Sequence, residues 1–167
     1  PPTNAASETT HPIWLPQSGI MAFIEKNGDL VFWGDGEVAR LAVDALPDAR
    51  ILQDERGRIL LFTGPTDRYQ HGVLGDTIEA GSITLINTLP KPAISMTIHF
   101  SPKVAEGIAP IWADLDKDGT REIIVTLSDE NQGAQIVIYN ENGELTAASA
   151  PIGRGYRWRH MLAAAPF

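Results

Sequence analysis

The sequence contains no cysteine, which excludes disulfide bonds and metal sites built from thiolates. No apolar run approaches the roughly 20 residues that a membrane-spanning helix needs. Basic residues are also scarce, because 13 lysines and arginines face 21 aspartates and glutamates, for a formal net charge of -8 at pH 7. This balance argues against a nucleic-acid-binding surface and suits a protein that binds cations. Walker loops, dinucleotide fingerprints, zinc signatures and nucleophile elbows are missing as well.

What is present is enough apolar material for a globular domain. Of the 167 residues, 43% are hydrophobic, and a single domain of this length buries on the order of two-thirds of its unfolded surface. Proline, threonine, serine and alanine dominate the start of the chain. We therefore expect residues 1–15 to form a flexible lead-in and residues 16–167 to form a single domain.

Four pairs of strand-like runs are each joined by a polar turn that contains glycine. The first pair is joined by Lys26-Asn27-Gly28, and Asn-Gly is a strong hairpin signal. The pairs are 20–25 with 29–33, 49–53 with 58–62, 108–113 with 122–125, and 135–139 with 144–147. Runs 82–86 and 93–98 are strand-like too, and 37–46 is either a further strand or one short helix. The pattern predicts an all-β protein.

The turn of the third pair is acidic. Aspartates alternate at Asp114, Asp116 and Asp118, and alternate side chains of an extended backbone leave on the same side. Gly119 permits the positive φ that a sharp reversal needs. After the turn, Glu122 is placed to return a fourth carboxylate toward the first three. The spacing therefore predicts a concentration of oxygen atoms at this hairpin.

Calcium is the ion that such a loop suits, because Ca2+ takes six to eight oxygen ligands. The predicted metal ligands are Asp114, Asp116, Asp118, the carbonyl of Thr120, and Glu122. The alternative is an acidic, solvated hairpin tip that holds no ion. Four carboxylates so close together would repel one another without a cation between them, which favours the metal site.

The pattern D-x-D-x-D-G-x-x-E, from Asp114 to Glu122, resembles the calcium loops of FG-GAP/VCBS repeats, the blades of integrin-α-like β-propellers. An EF-hand is excluded, because the twelfth loop position is Val125 and a β-branched run follows Gly119. The resemblance implies propeller blades of four antiparallel strands, with the acidic blade at about 105–150. Calcium is carried over to that blade alone, since the second hairpin has Asp54-Glu55-Arg56-Gly57 in place of a full acidic loop. No literal Phe-Gly…Gly-Ala-Pro sequence occurs.

The strands supply about three blades, whereas closed propellers hold four to eight. We therefore expect an incomplete part of a larger propeller, completed by the remainder of the ring or by another chain. The resemblance implies a scaffold that binds a ligand, such as a glycan or a protein, on its rim, with calcium acting structurally. Loops of this kind work where calcium is about millimolar, so we expect an extracellular, periplasmic or cell-surface location.

Two polar segments rich in arginine and aromatic residues are candidates for that rim. They contribute Arg68, Tyr69, His71 and Asp76, and Arg154, Tyr156, Arg157, Trp158, Arg159 and His160. Together they would bind an anionic sugar or a peptide carboxylate through bidentate guanidinium contacts and aromatic stacking. The alternative is that the arginines pair with acidic residues of neighbouring blades and that Trp158 fills the space between blades.

An enzyme is a further alternative. His71 or His160 would act as a general base, and Arg68 or Arg159 would neutralise a uronate carboxylate, as in a calcium-dependent polysaccharide lyase or hydrolase. The sequence assigns no catalytic residue, and an isolated histidine is usually structural. The binding scaffold is therefore the function that we expect.

Overall fold

The computed structural model describes residues 9–45, 49–63, 81–100, 103–105, 110–129, 131–154 and 162–163. Every regular element in these ranges is a β-strand, which confirms the predicted all-β class. Within the same ranges, no helix has the length and apolar character required to cross a membrane.

Thirteen strands in the described ranges form three antiparallel sheets, and each sheet is built on a meander of four consecutive strands. The first sheet contains β1 (Thr9–Leu15), β2 (Ile20–Glu25), β3 (Asp29–Trp33) and β4 (Glu37–Ala42). The second contains β5 (Arg50–Gln53), β6 (Ile59–Thr63), β7 (Ser82–Asn87) and β8 (Ala93–His99). The third contains β10 (Ile111–Ala113), β11 (Glu122–Asp129), β12 (Gly133–Tyr139) and β13 (Leu145–Ala148), and the two-residue β9 (Val104–Ala105) also pairs with β11.

The hairpin turns follow the sequence signals. All four predicted strand pairs are confirmed within the described residues, as are the strands predicted at 82–86 and 93–98. Residues 108 and 109 of the third pair lie outside the described ranges. The turn between β2 and β3 shows why glycine is needed: Gly28 has φ of +88°, and a Cβ there would lie 3.0 Å from the backbone N and O of Ala45. Asn27 completes the turn by accepting a hydrogen bond from the backbone N–H of Asp29 at 3.1 Å.

The second sheet lies between the other two, and its central strands β6 and β7 are buried on both faces. Alternate residues of a strand point to opposite faces, and β6 divides its side chains in this way. Ile59 and Leu61 pack with residues of the first sheet, whereas Leu60 and Phe62 pack with residues of the third. All five residues of β6 are buried. The molecule therefore has two hydrophobic layers, one on each side of the middle sheet.

The structure decides between the two alternatives for one segment and differs from the expectation for another. Residues 37–42, for which a short helix was an alternative, form strand β4, because Ala39 and Leu41 alternate toward the core while Arg40 faces outward. Part of the predicted lead-in, Thr9–Leu15, forms β1 and pairs with β2. Leu15 anchors this strand, since its side chain is only 1% exposed.

None of the three sheets closes on itself. The observed architecture is thus a face-to-face stack of three open four-stranded meanders, the third of which carries the extra strand β9. The acidic loop joins β10 and β11, the first two strands of the third meander. It lies at the same end of the molecule as the turn between β5 and β6, since Arg56 of that turn contacts Gly119 of the loop.

Candidate metal centre

The acidic loop projects from two paired strands whose adjoining residues are buried. It connects β10 to β11, and the last pair before the loop opens is Ala113 with Glu122. Below it, Trp112 pairs with Ile123, and both residues belong to the core between the second and third sheets. Six consecutive residues of β11, from 123 to 128, are buried. Burial of this β-branched run fixes the position of the two strand ends from which the loop projects.

Three of the four predicted carboxylates converge. Asp114, Asp116 and Glu122 each offer one carboxylate oxygen, and these oxygens all lie within 4.8 Å of one another. Asp114 and Glu122 are half-buried, whereas Asp116 is exposed to solvent. A group of this size and composition suits a hard cation with oxygen ligands. The prediction that the loop gathers carboxylates at the hairpin tip is confirmed for these three residues.

Backbone N–H groups of the loop also point at the cluster. Asp114 accepts hydrogen bonds from the N–H groups of Asp118 and Gly119 at 3.1 and 3.0 Å. Asp116 accepts one from Asp118 at 3.2 Å, and Glu122 accepts one from Leu115 at 2.8 Å. These bonds offset part of the repulsion among the carboxylates. Because an ionised carboxylate has about four lone-pair sites, each of the three retains capacity to bind a cation.

Asp118 is not a member of the converging group. Its Oδ1 instead accepts a hydrogen bond from the N–H of Thr120 at 2.7 Å. Alternation of all three aspartates requires an extended backbone from Asp114 to Asp118, but Lys117 has φ of +65° and Gly119 has φ of +90°. The positive φ at Lys117 bends the chain before Asp118 and breaks the alternation. Gly119 adopts the positive φ that its residue type predicted.

Two arginines next to the acidic loop bind groups other than its clustered carboxylates. Arg121 donates a hydrogen bond to the carbonyl of Trp112 at 2.9 Å and forms an ion pair with Glu55. Arg56 reaches across from the second sheet and donates to the carbonyl of Gly119 at 3.2 Å. These two arginines therefore tie the acidic loop to the neighbouring sheet while their positive charges make contacts outside the carboxylate cluster.

The matching hairpin of the second sheet contains an internal cation in place of an acidic cluster. Asp54 lies at the start of the turn between β5 and β6, and its side chain is fully buried. It accepts hydrogen bonds from the N–H groups of Arg56 and Arg58 at 3.0 and 2.7 Å. The Nε of Arg58 donates to the same carboxylate at 2.7 Å. A guanidinium thus neutralises the aspartate here, which agrees with assigning calcium to the third sheet alone.

Arg58 also joins the second sheet to the third. It donates two hydrogen bonds to the carboxylate of Glu141 at 2.7 and 2.6 Å, and its guanidinium lies 5.1 Å from the ring centre of Trp112. Arg121 lies 5.8 Å from the same ring. The bonds to Arg58 hold the pKa of Glu141 below its ordinary value, and those to Glu141 and Asp54 raise the pKa of Arg58 against the opposing effect of burial.

Little in the sequence predicts this arrangement. The segment Asp54-Glu55-Arg56-Gly57 resembles an incomplete acidic loop, and only the closeness of Asp54 and Arg58 in the chain indicates that they could form an ion pair. Glu141 lies 83 residues from Arg58, and no local pattern connects them. The cluster of Asp54, Arg58, Trp112, Arg121 and Glu141 will be called the inter-sheet clasp.

The predicted rim residues are outside the described part of the chain, with one exception. Arg68, Tyr69, His71, Asp76, Tyr156, Arg157, Trp158, Arg159 and His160 all belong to undescribed segments. Arg154 is described and is exposed to solvent. It lies two residues after Ile152, which bridges to Ala134 on β12. The ligand-binding assignment of these residues stays a prediction.

Comparisons with known proteins add no family assignment. The sequence matches no protein-family model, and a search of curated proteins found no significant match.

Proposed function

We propose that this protein is a calcium-binding β-propeller protein of the FG-GAP/VCBS kind, in which the ion has a structural role and the blades form a scaffold for ligand binding. The observation that carries the proposal is the convergence of Asp114, Asp116 and Glu122 in the hairpin between the first two strands of a four-stranded antiparallel sheet. The nine-residue pattern and the sheet topology support the same family from independent directions.

Calcium is favoured by the chemistry of the donors. The three converging side chains are all carboxylates, which suit hard cations such as Ca2+ and Mg2+. Three carboxylates fall short of the six to eight oxygens that calcium takes. Asp118 and the Thr120 carbonyl lie in the same loop and would supply further oxygens, with water completing the shell. A site assembled from a bent loop also suits calcium better than magnesium, which demands near-ideal octahedral geometry.

The contacts around the loop support a structural role for the ion. Arg56 binds the carbonyl of Gly119, and Arg121 pairs with Glu55 of the second sheet. An ion that fixes the loop would therefore also fix the points at which the second sheet holds it. Such an ion would stabilise the stacking of neighbouring sheets.

The propeller part of the proposal is supported by how the sheets stack. The middle sheet is covered on each face by a neighbouring sheet, as in adjacent blades. The outer face of the first sheet carries Trp14, which is 60% exposed, directly opposite Met21, which is 38% exposed. Exposed apolar residues grouped on one sheet face favour contact with a partner. A further four-stranded sheet, from the remainder of the propeller or from another chain, fits this face.

Direct titration tests the metal assignment. Calcium added to chelator-treated protein in a calorimeter is expected to bind one ion per chain, with weaker binding of magnesium. Asp116→Asn is expected to weaken calcium binding at least tenfold, since it removes one charged ligand. Absence of saturable calcium binding would contradict the proposal.

The scaffold assignment is tested separately. Bound ligands found on a glycan array should be recovered unchanged after incubation with the protein. Appearance of the ultraviolet absorbance of unsaturated uronate products would instead show a lyase. The protein is expected to act outside the cell or at its surface, where calcium is about millimolar and would saturate a site of the affinity typical of extracellular modules.

A further inference from the structure

A cleft of about 320 Å³ opens between the first and second sheets, on the side of the molecule formed by β4, β7 and β8. It is separate from the acidic loop, which belongs to the third sheet. Its volume lies at the lower end of the range of small-molecule sites, which starts at about 300 Å³. The residues that line it combine hydroxyl groups with aliphatic side chains.

The cleft exists because the contact between the two sheets changes from apolar to polar along β7. Ile86 packs in the hydrophobic layer between the first and second sheets. Thr84 and Ser82 follow on the same face of β7, at alternate positions, and both line the cleft. They are only 2% and 8% exposed. The hydrophobic layer therefore ends where the hydroxyl groups begin, and the two sheets separate there.

The polar side chains form two adjacent cross-strand rows. Thr63, Ser82 and His99 lie opposite one another on β6, β7 and β8. Thr84 lies opposite Thr97 in the next row, and their Oγ1 atoms are 3.2 Å apart, which is within hydrogen-bond distance. A hydroxyl group both donates and accepts hydrogen bonds. One wall of the cleft is therefore lined by hydroxyl groups that can each donate or accept a hydrogen bond.

Charge and apolar contacts narrow the class of ligand. Among the described lining residues there is no lysine or arginine, and the charged or titratable groups are Asp44 and His99, both solvent-exposed. The described part of the cleft therefore offers no lysine or arginine to bind an anion. Val43 and Ile94 add aliphatic surface beside the hydroxyl rows. A ligand with hydroxyl groups on one side and C–H groups on the other would match both surfaces.

We propose that this cleft binds a small uncharged ligand that carries several hydroxyl groups, of the size of a monosaccharide or disaccharide. Hydroxyl groups of Ser82, Thr84 and Thr97 bind the ligand's hydroxyls, and Val43 and Ile94 contact its C–H face. This site is independent of the calcium proposal, because none of its described lining residues belongs to the third sheet.

The test is titration of the full chain with neutral sugars, in which saturation-transfer NMR detects binding. Glucose, galactose, mannose, maltose and lactose serve as probes, and glucuronate serves as the anionic comparison. At least one neutral sugar is expected to bind saturably and more tightly than glucuronate. No saturable binding of any neutral probe, or a preference for glucuronate, would overturn the proposal.

Thr97→Val locates the binding. Thr97 is exposed and valine has a similar shape, so the replacement removes one hydroxyl from the cleft, together with its hydrogen bond to Thr84, and a denaturation curve checks that the variant is folded. Loss of one hydrogen bond to an uncharged group is expected to weaken sugar binding about 3- to 10-fold. Thr146→Val on β13, whose hydroxyl donates to the Ile138 carbonyl at 3.1 Å, is the matched control and should bind as the wild type does. Equal binding by Thr97→Val and the control would place the ligand elsewhere and refute binding in the cleft.

Repeating the titration with chelator should leave sugar binding unchanged, and a loss of binding would contradict the independence of the two sites.

Discussion

The guanidinium of Arg58 is held by two carboxylates from different sheets, since it binds Asp54 at 2.7 Å within its own hairpin and Glu141 at 2.6 and 2.7 Å in the third sheet. The side chains of Arg58 and Glu141 are 16% and 17% exposed. An ion pair so shielded from water is screened less than a surface pair. This contact therefore gives the stacked sheets a polar connection in addition to their shared hydrophobic core.

Glu141→Gln is expected to reduce the free energy of unfolding by about 1.5–3 kcal/mol, because it removes the charge that binds Arg58 and leaves a partly buried guanidinium without that partner. Chemical denaturation measures the loss. Glu144→Gln is the matched control on the same hairpin, where Glu144 is exposed and accepts a hydrogen bond from Asn140 at 2.7 Å. A similar change in both variants would show that the pair with Arg58 has no special role.

The same pair predicts how stability depends on pH. Hydrogen bonds from Arg58 place the pKa of Glu141 below its ordinary value of 4.5 in the folded protein. The stabilisation is therefore complete above the unfolded pKa and is lost as the pH falls from about 4.5 through the lowered folded pKa. Denaturation curves recorded between pH 3 and 7 should show a smaller loss of stability at low pH for Glu141→Gln than for wild type. Parallel curves for the two proteins would contradict the pair's contribution.

Gly119 allows a backbone test of the loop. Its φ is +90°, and a Cβ built there meets no atom within 4 Å, so steric clash with neighbours cannot account for an effect of substitution. Gly119→Ala is expected to cost about 1–2 kcal/mol through backbone strain alone. Gly119→Asn should cost less, because asparagine adopts positive φ more readily. Thermal unfolding in calcium checks both variants, and an Ala variant as stable as wild type would mean that the loop does not need this conformation.

The sequence predicted the strands better than it predicted the site. Hairpins formed where a turn residue with positive φ separates two apolar runs, as at Asn27-Gly28, because local chemistry decides such turns. The position of Asp118 outside the carboxylate cluster was not predicted. It depends on a left-handed backbone conformation at Lys117, which lysine does not favour. The inter-sheet clasp was not predicted either, because a contact such as that between Arg58 and Glu141 depends on how whole sheets pack.

Calcium bound by the loop from Asp114 to Glu122 is expected to stabilise the fold. A ligand bound only to the native state at a hundredfold excess over Kd adds about 2.7 kcal/mol, which for a domain of this size raises Tm by about 5–10 °C. The measurement is thermal unfolding of wild type, Asp116→Asn and the control Asp35→Asn, each with calcium and with chelator.

Wild type and Asp35→Asn should each gain the shift in calcium, because Asp35 is an exposed residue in the turn between β3 and β4 of the first sheet, whereas the loop belongs to the third. Asp116→Asn should lose the shift. With chelator it should be at least as stable as wild type, since removal of one exposed carboxylate relieves repulsion within the cluster. Equal Tm values for wild type in calcium and in chelator, with no calcium retained by the protein, would contradict the account.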